Sequence, residues 1–548
     1  MRKIAKWIGI AVLCPILLFI ILATLLYLPP VQNWAAQKVT AIVSEKTGME
    51  ITVGHVNLEW PLDLGIEGFR AIKPNETNPN LRDTIADVGR LVADVQLWPL
   101  LSKQVVINEL SLHQARIDTD GLIGDVHVKG ELNELWLSSR GIDLDGETVE
   151  VNGARLADAR LDIALSDTAA VDTTTSDIRW KINADSLSIS RTALNLHWGE
   201  TPAGSPCRER AACDSTAVTV WLENAVAREA DIDLGKAIYK VGSLDWHDGR
   251  FTYDSRYEPE VSGLDYNHMA LSNIRLGIDD ISYTPQGVSL MVRQTAMQEK
   301  SGLQITELTG GVKLDSTFNN IQLPQMTLRT PDSNIAAEAD IDLSAFSVPS
   351  SPTPPEGKGT TPGKIKLRLM AQLGKQDLFR FTSDLPQKFM ERFPNRPLVI
   401  RGSADGNMQH LELAGIDIHL GTALHANING TLSNFTDMSR MKANLQVDAK
   451  TKELNFLTAL VDPKMSGSYR LPDGIALNGR LTADGTRYDV DLTAHEGNGS
   501  VSMKGFAMIP FNAQGDIATE QMTYDADIRI DQLNLHHFLP KEDRKRHV

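Results

Sequence analysis

Cysteine, aromatic residues and basic charge are all scarce in this sequence. Three cysteines in 548 residues exclude a fold built on disulfides, and the lack of any Cys-x-x-Cys pair removes the usual zinc and thioredoxin-type arrangements. Aromatics are 6% of the chain against 42% hydrophobic residues overall, so its apolar burial has to come from aliphatic side chains. The chain is too apolar for disorder and too long for one ordinary core. With 54 Lys and Arg against 70 Asp and Glu the formal charge is −16, a sign that repels phosphate backbones and argues against nucleic acid as a partner. Catalytic signatures are missing too. There is no His-Glu-x-x-His, no Gly-x-Ser-x-Gly and no Walker loop, since Gly357-Lys358 runs into Gly359. His536 and His537 are adjacent, so on a helix they point apart, and Asp143-Leu144-Asp145-Gly146 lacks the spaced acids of a calcium loop. The expectation is a non-enzyme that uses neither metal nor cofactor.

What the chain does have begins at its N-terminus. Ile8 to Leu28 is an uncharged run of 21 residues, about 31 Å as a helix, which matches the ~30 Å hydrocarbon thickness of a bilayer. The run exceeds the apolar part of a cleaved signal, and no Ala-x-Ala-like site follows it. Arg2, Lys3 and Lys6 precede it and the next basic residue is Lys38, a bias that holds the N-terminus in the cytoplasm and puts the body on the other side. The spacing of Val31, Trp34, Ala35, Val39, Ile42 and Val43 then predicts an amphipathic helix over 29–47, after a cytoplasmic stretch 1–7 and the anchor 8–28.

From residue 48 the hydrophobic period changes from helical to two. Leu161/Ile163/Leu165, Leu194/Leu196/Trp198, Ile274/Leu276/Ile278, Ile365/Leu367/Leu369, Ile416/Ile418/Leu420, Tyr488/Val490/Leu492 and Tyr524/Ala526/Ile528/Ile530 each alternate with mostly polar residues. Such alternation belongs to antiparallel strands with one wet face. Residues 48–346 and 364–540 are read as antiparallel sheet, separated by the Pro, Gly, Ser and Thr-rich loop or linker 347–363 and followed by the charged tail 541–548. Short helices are expected at Trp98–Ser102, Leu385–Arg392 and Asn455–Val461. At roughly 12 to 20 residues per strand and turn, this body holds about 25 to 40 strands. Cys207 and Cys213 lie five residues apart in a polar loop and form either a local disulfide or two free thiols. Glu453-Leu-Asn-Phe-Leu-Thr-Ala-Leu460 and Gln532-Leu-Asn-Leu-His-His-Phe-Leu539 form a weak repeat after two of the strands.

An apolar sheet face of this extent must be covered by a second sheet, curled on itself or occupied by a ligand. For a ligand groove the in-phase apolar positions are the lining: Leu194, Leu196 and Trp198; Ile365, Leu367 and Leu369; Tyr488, Val490 and Leu492; Ile528 and Ile530. A string of β-sandwiches is the competing arrangement.

Two segments carry a family resemblance. Thr47-Gly-Met-Glu-Ile-Thr-Val-Gly-His-Val56, after the anchor and helix, and Val95-Gln-Leu-Trp-Pro-Leu-Leu-Ser-Lys-Gln-Val-Val-Ile-Asn-Glu-Leu-Ser-Leu112 resemble the N-terminal region of AsmA-like proteins, and of TamB proteins in particular. The resemblance implies a single-pass inner-membrane protein of a diderm bacterium. Its periplasmic part would be one long curled antiparallel β-sheet with a few short helices, whose groove would hold phospholipid acyl chains and act in outer-membrane biogenesis by bridge-like transfer between the two membranes, with an outer-membrane β-barrel as partner. The alternative is a non-transporting scaffold that assists assembly of outer-membrane proteins. TamB proteins normally run much longer than this chain and end in a distinct C-terminal domain.

Overall fold

The protein was analysed as a computed structural model, which describes Ser44 and residues 49–59, 63–74, 82–95, 107–119, 126–143, 147–165, 179–199, 215–346, 363–382, 385–460, 474–511 and 518–533. The anchor 8–28, the amphipathic helix 29–47 apart from Ser44, the Trp98–Ser102 segment, Cys207, Cys213 and the second copy of the repeat beyond Leu533 lie outside the described residues. Among the described residues, no helix is long and apolar enough to cross a membrane.

The described chain is mainly β and mostly antiparallel, with few helices. It divides into two compact units, one of residues 1–260 with 266–282 and one of residues 261–265 with 283–548. Strands of the first unit are β1 (Glu50–Thr52), β2 (His55–Glu59), β3 (Asp63–Pro74), β4 (Arg82–Val95), β5 (Ile107–Asp118), β6 (Val126–Asp143), β7 (Thr148–Leu165), β8 (Lys181–Trp198), β9 (Thr216–Asp233), β10 (Ile238–Ser255) and β11 (His268–Thr284), the last crossing into the second unit by its final two residues. The second holds β12 (Gly287–Glu299), β13 (Gln304–Ile305), β14 (Glu307–Asp315), β15 (Asn320–Arg329), β16 (Asn334–Asp342), β17 (Lys364–Leu373), β18 (Leu398–Asn407), β19 (His410–Leu420), β20 (Leu424–Ser433), β21 (Lys442–Thr451), β22 (Ile475–Asp484), β23 (Arg487–Glu496), β24 (Gly499–Met508) and β25 (Thr523–Asp531). Its helices are α1 (Lys375–Phe381) and α2 (Gln387–Arg392), with 3-10 turns at Leu343–Phe346, Asn455–Leu460 and Thr519–Gln521. Each of the seven alternating segments lies within a strand. The expected helix at 385–392 forms from Gln387 behind Pro386, and that at 455–461 is a 3-10 turn.

In the first unit, β3 through β10 pair in sequence order. One pair departs from the expected antiparallel arrangement: β7 and β8 run parallel, Leu161 beside Leu194 and Ile163 beside Leu196. The amide of Lys181 donates to the Glu147 carbonyl, so the chain between the two strands returns to the start of β7. That return is what a parallel pair requires and a tight hairpin cannot supply.

Strands β6 to β10 are 18 residues each, and in none of them does strict alternation survive end to end. In β7 the apolar positions run Val149, Val151, then Ala154, Leu156, then Ala159, Leu161, Ile163. The parity therefore changes twice, yet apart from Val151, which meets Ser139 on β6 and Ala184 on β8, these residues pair with no polar side chain. Asp158, Arg191, Glu229 and Asp248 have φ of 53°, 45°, 55° and 56° inside β7, β8, β9 and β10. Each of these residues reverses the alternation of its strand without shifting the cross-strand register, so the apolar side chains before and after it return to the same face. Two of them clip together: Arg191 donates from Nε and Nη2 to the two carboxylate oxygens of Asp158, both at 2.6 Å.

The second unit is a meander. β14 through β25 pair antiparallel and in order, with β12 paired to β14. The Pro-rich segment 347–363 joins two strands that pair, Ile341 opposite Ile365. Glycine lets neighbouring strands approach closely here. Gly310, Gly402, Gly430 and Gly479, on β14, β18, β20 and β22, have φ from 134° to 159°, a region closed to other residues without strain.

A candidate apolar trough

Cross-strand registers show which side chains share a face, because directly opposed residues in an antiparallel pair point the same way. One such row crosses β17 to β25: Leu367 is opposite Ala404, Ala404 opposite Leu413, and Leu413 opposite Gly430. It continues from Gly430 to Leu445, Leu481, Val490, Gly505 and Ala526. The row beside it includes Leu492, Met503 and Ile528, and the next Ala494, Val501 and Ile530. In the other direction Leu367 faces Ala339 and Leu369 faces Ala337. Val288, Leu290 and Val292 of β12 face Leu314, Val312 and Gly310. Eight of the eleven expected lining residues thus lie on a single apolar face of the second unit. Leu194, Leu196 and Trp198 lie together on one face of the first, opposite Val220, Val218 and Thr216.

This face is sealed along parts of two margins. At one, α1, α2 and the 455–460 turn press four phenylalanines onto the ends of β18 to β20. Phe393 meets Phe379, Phe456 and Phe389 at centroid distances of 5.3, 5.4 and 5.7 Å, mostly edge to face, and Leu420 and Ala423 beneath them are 2% and 1% exposed. At the other, Ala345 of the 343–346 turn and Phe435 pack on Ile365, Leu411 and Leu432. Between these margins Leu367, Leu369, Leu445, Val447, Leu481, Val490 and Leu492 are half-buried. Toward the far side the cover ends. Every residue of β25 is exposed, Tyr524 by 84%, Ile528 by 55% and Ile530 by 61%, and among the described residues β25 pairs with β24 alone.

The first margin is anchored by a buried carboxylate. Asp377 of α1, 1% exposed, accepts from the hydroxyls of Thr330 and Ser333 and, at 2.7 Å, from Arg380 Nη1. Ser333 Oγ also accepts from the amide of Gly374, so the turn between β15 and β16 holds the start of α1 in place. A buried charge paired in this way is costly to disturb.

The opposite face is charged and wet. Lys364 to Asp340, Arg368 to Glu338 and Lys504 to Asp491 pair across strands at 3.0, 3.0 and 3.1 Å, each exposed and so worth at most about 1 kcal/mol. The hydrogen bond from Lys364 holds the Asp340 carboxyl below its ordinary range, and the one from Arg487 does the same for Asp489. These carboxylates stay ionised at neutral pH, and the shallow clefts between them, such as that lined by Lys313, Asp340, Lys364, Lys366 and Asp405, suit water better than hydrocarbon. Among the described residues no group of three or more His, Cys, Asp or Glu is placed to hold a metal ion.

Reading the sequence missed α1, which is seven residues long, and with it the phenylalanine cluster. It also missed the small floor positions Ala404, Gly430, Gly479 and Gly505. Glycine inside an otherwise alternating strand, as in Asn427-Ile-Asn-Gly-Thr-Leu432, was the available signal. No family model and no curated protein matches the chain.

Proposed function

We propose that the apolar face of the second unit is a trough for lipid acyl chains, and that the chain is an AsmA-like, TamB-type protein. In this reading it is anchored in the inner membrane by residues 8–28, with its body in the periplasm, and it transfers phospholipid between inner and outer membranes. The observation that carries the reading is the apolar row that runs from Val288 on β12 through Leu314, Ile321, Ile341 and Ile365 to Tyr488 and on to Tyr524 on β25. Thirteen strands at ~4.8 Å make a floor about 60 Å long, and the seven residues from buried Ile365 to buried Ala371 span about 20 Å across it. That footprint, of order 1,000 Å², exceeds the few hundred Å² of the largest apolar patch on an ordinary monomer, and so favours an occupant. Acyl chains suit it because they ask only for a dry lining. Sequential pairing of the strands within each unit also weighs against a string of sandwiches, whose strands return alternately to two sheets.

A second reading draws support from β25. Among the described residues it is an exposed strand paired on one side only, a template for another strand, which fits a scaffold for assembling outer-membrane proteins. Mass spectrometry of lipids extracted from the full chain, purified from membranes in mild detergent, separates the two. Phospholipid recovered at one or more molecules per chain supports the trough, and lipid-free protein would leave the scaffold.

A further inference from the structure

Among the described residues three side-chain donors are buried without a hydrogen-bond partner: Trp246 Nε1, Thr295 Oγ1 and the Tyr488 hydroxyl. Leaving such a group unpaired is unfavourable, and native proteins rarely do so. Tyr488 is the one set in the trough floor. Its cross-strand neighbours are Ala483 on β22 and Ala507 on β24, and the next rung on its own strand is Val490. None of these side chains contains an acceptor. The acids nearest in sequence are engaged on the other face, Asp489 with Arg487 at 2.7 Å and Asp491 with Lys504 at 3.1 Å. The row continues from Ala507 to the exposed Tyr524 at the open side of the sheet.

We propose that Tyr488 is a specificity-determining residue of the trough, donating its hydroxyl to the carbonyl oxygen of an ester-linked acyl chain. This rests on the trough reading and adds to it the linkage chemistry of the lipid. A carbonyl oxygen is a strong acceptor set at the junction of tail and headgroup, so the apolar tail lies over Val490 and Leu492 while the headgroup stays near the open side. A dialkyl ether lipid has tails of the same shape but no carbonyl, and it leaves the phenol unpaired.

The full chain, stripped of lipid in detergent, is incubated with vesicles containing equal amounts of a dioleoyl diester phosphatidylglycerol and its dialkyl ether analogue, and the retained lipids are counted by mass spectrometry. One neutral hydrogen bond corresponds to an ester preference of about fivefold. That preference should fall to about one in Tyr488→Phe with total loading kept, and the empty variant should melt no lower than the parent, because the lost hydroxyl had no partner. Equal retention of both lipids by the parent, an ester preference that survives in Tyr488→Phe, or a variant that melts lower when empty would each overturn the assignment while leaving the trough intact. Failure of the parent to retain either lipid would remove the trough reading and this inference with it.

Discussion

Gly430→Ala isolates a glycine on which the close approach of two strands depends. Gly430 has φ +146°, and a Cβ built on it would lie 2.0 Å from the Asn444 carbonyl oxygen of the neighbouring strand, where real contacts are at least about 3 Å. Placing a side chain in a backbone region reserved for glycine costs of order 1–3 kcal/mol, and moving β20 from β21 by about 1 Å strains a rung between Leu413 and Leu445. The sum is about 3 kcal/mol. The control is Gly497→Ala, at φ +57° with nothing within 4 Å, which costs about 1–2 kcal/mol through the left-handed conformation alone. With a urea m-value of about 3 kcal/mol/M for a unit of this size, the unfolding midpoint should drop by about 1 M for Gly430→Ala and by about half that for the control. Hydrogen exchange should speed up along β20 and β21 only in the former. A Gly430→Ala midpoint equal to or above that of the control would refute the role given to these glycines.

Phe393→Ala removes a ring in contact with three others and should destabilise the second unit by about 3–5 kcal/mol, with proteolysis and hydrogen exchange rising first at Gln387–Arg392. Leu367→Asp puts a carboxylate on the apolar row at a cost of several kcal/mol to any acyl chain that passes it; lipid delivery to the outer membrane should fail while the protein stays folded and membrane-associated. Asp158 is held below its ordinary pKa by the hydrogen bonds from Arg191, so its folded pKa is below its unfolded value. Its contribution to stability is then complete above about pH 4 and is lost as pH falls through the folded value. Urea midpoints should be flat from pH 5 to 8, decline below pH 4, and decline less steeply in Arg191→Gln.

Fold class was legible because alternation such as Tyr488/Val490/Leu492 can be satisfied only by a strand with one oily side. The full length of the strands was not legible. In β8, Leu187 and Ile189 are out of phase with Leu194 and Leu196, and only the left-handed backbone at Arg191 puts both pairs on one face; a residue like Arg191 gives no warning that it will adopt positive φ. The parallel β7–β8 pair was hidden because both strands are half-exposed and alternate as antiparallel strands do, so the local pattern did not reveal their direction. The floor could be chosen from phase alone at Ile365, Leu367 and Leu369. Its margins could not, because the phenylalanine cluster joins residues 379 and 456 across several strands.

The central claim is that one face of this sheet meets lipid and the other does not, and adjacent residues on β22 test it directly. Leu481 lies on the apolar row opposite Val490, and Arg480 lies on the charged face opposite Asp491. With a photocrosslinking amino acid at either position of the full chain in cells, irradiation should yield a lipid adduct from position 481 and none from position 480. Equal adducts from both positions, or none from 481 in a protein that folds and reaches the membrane, would contradict the account.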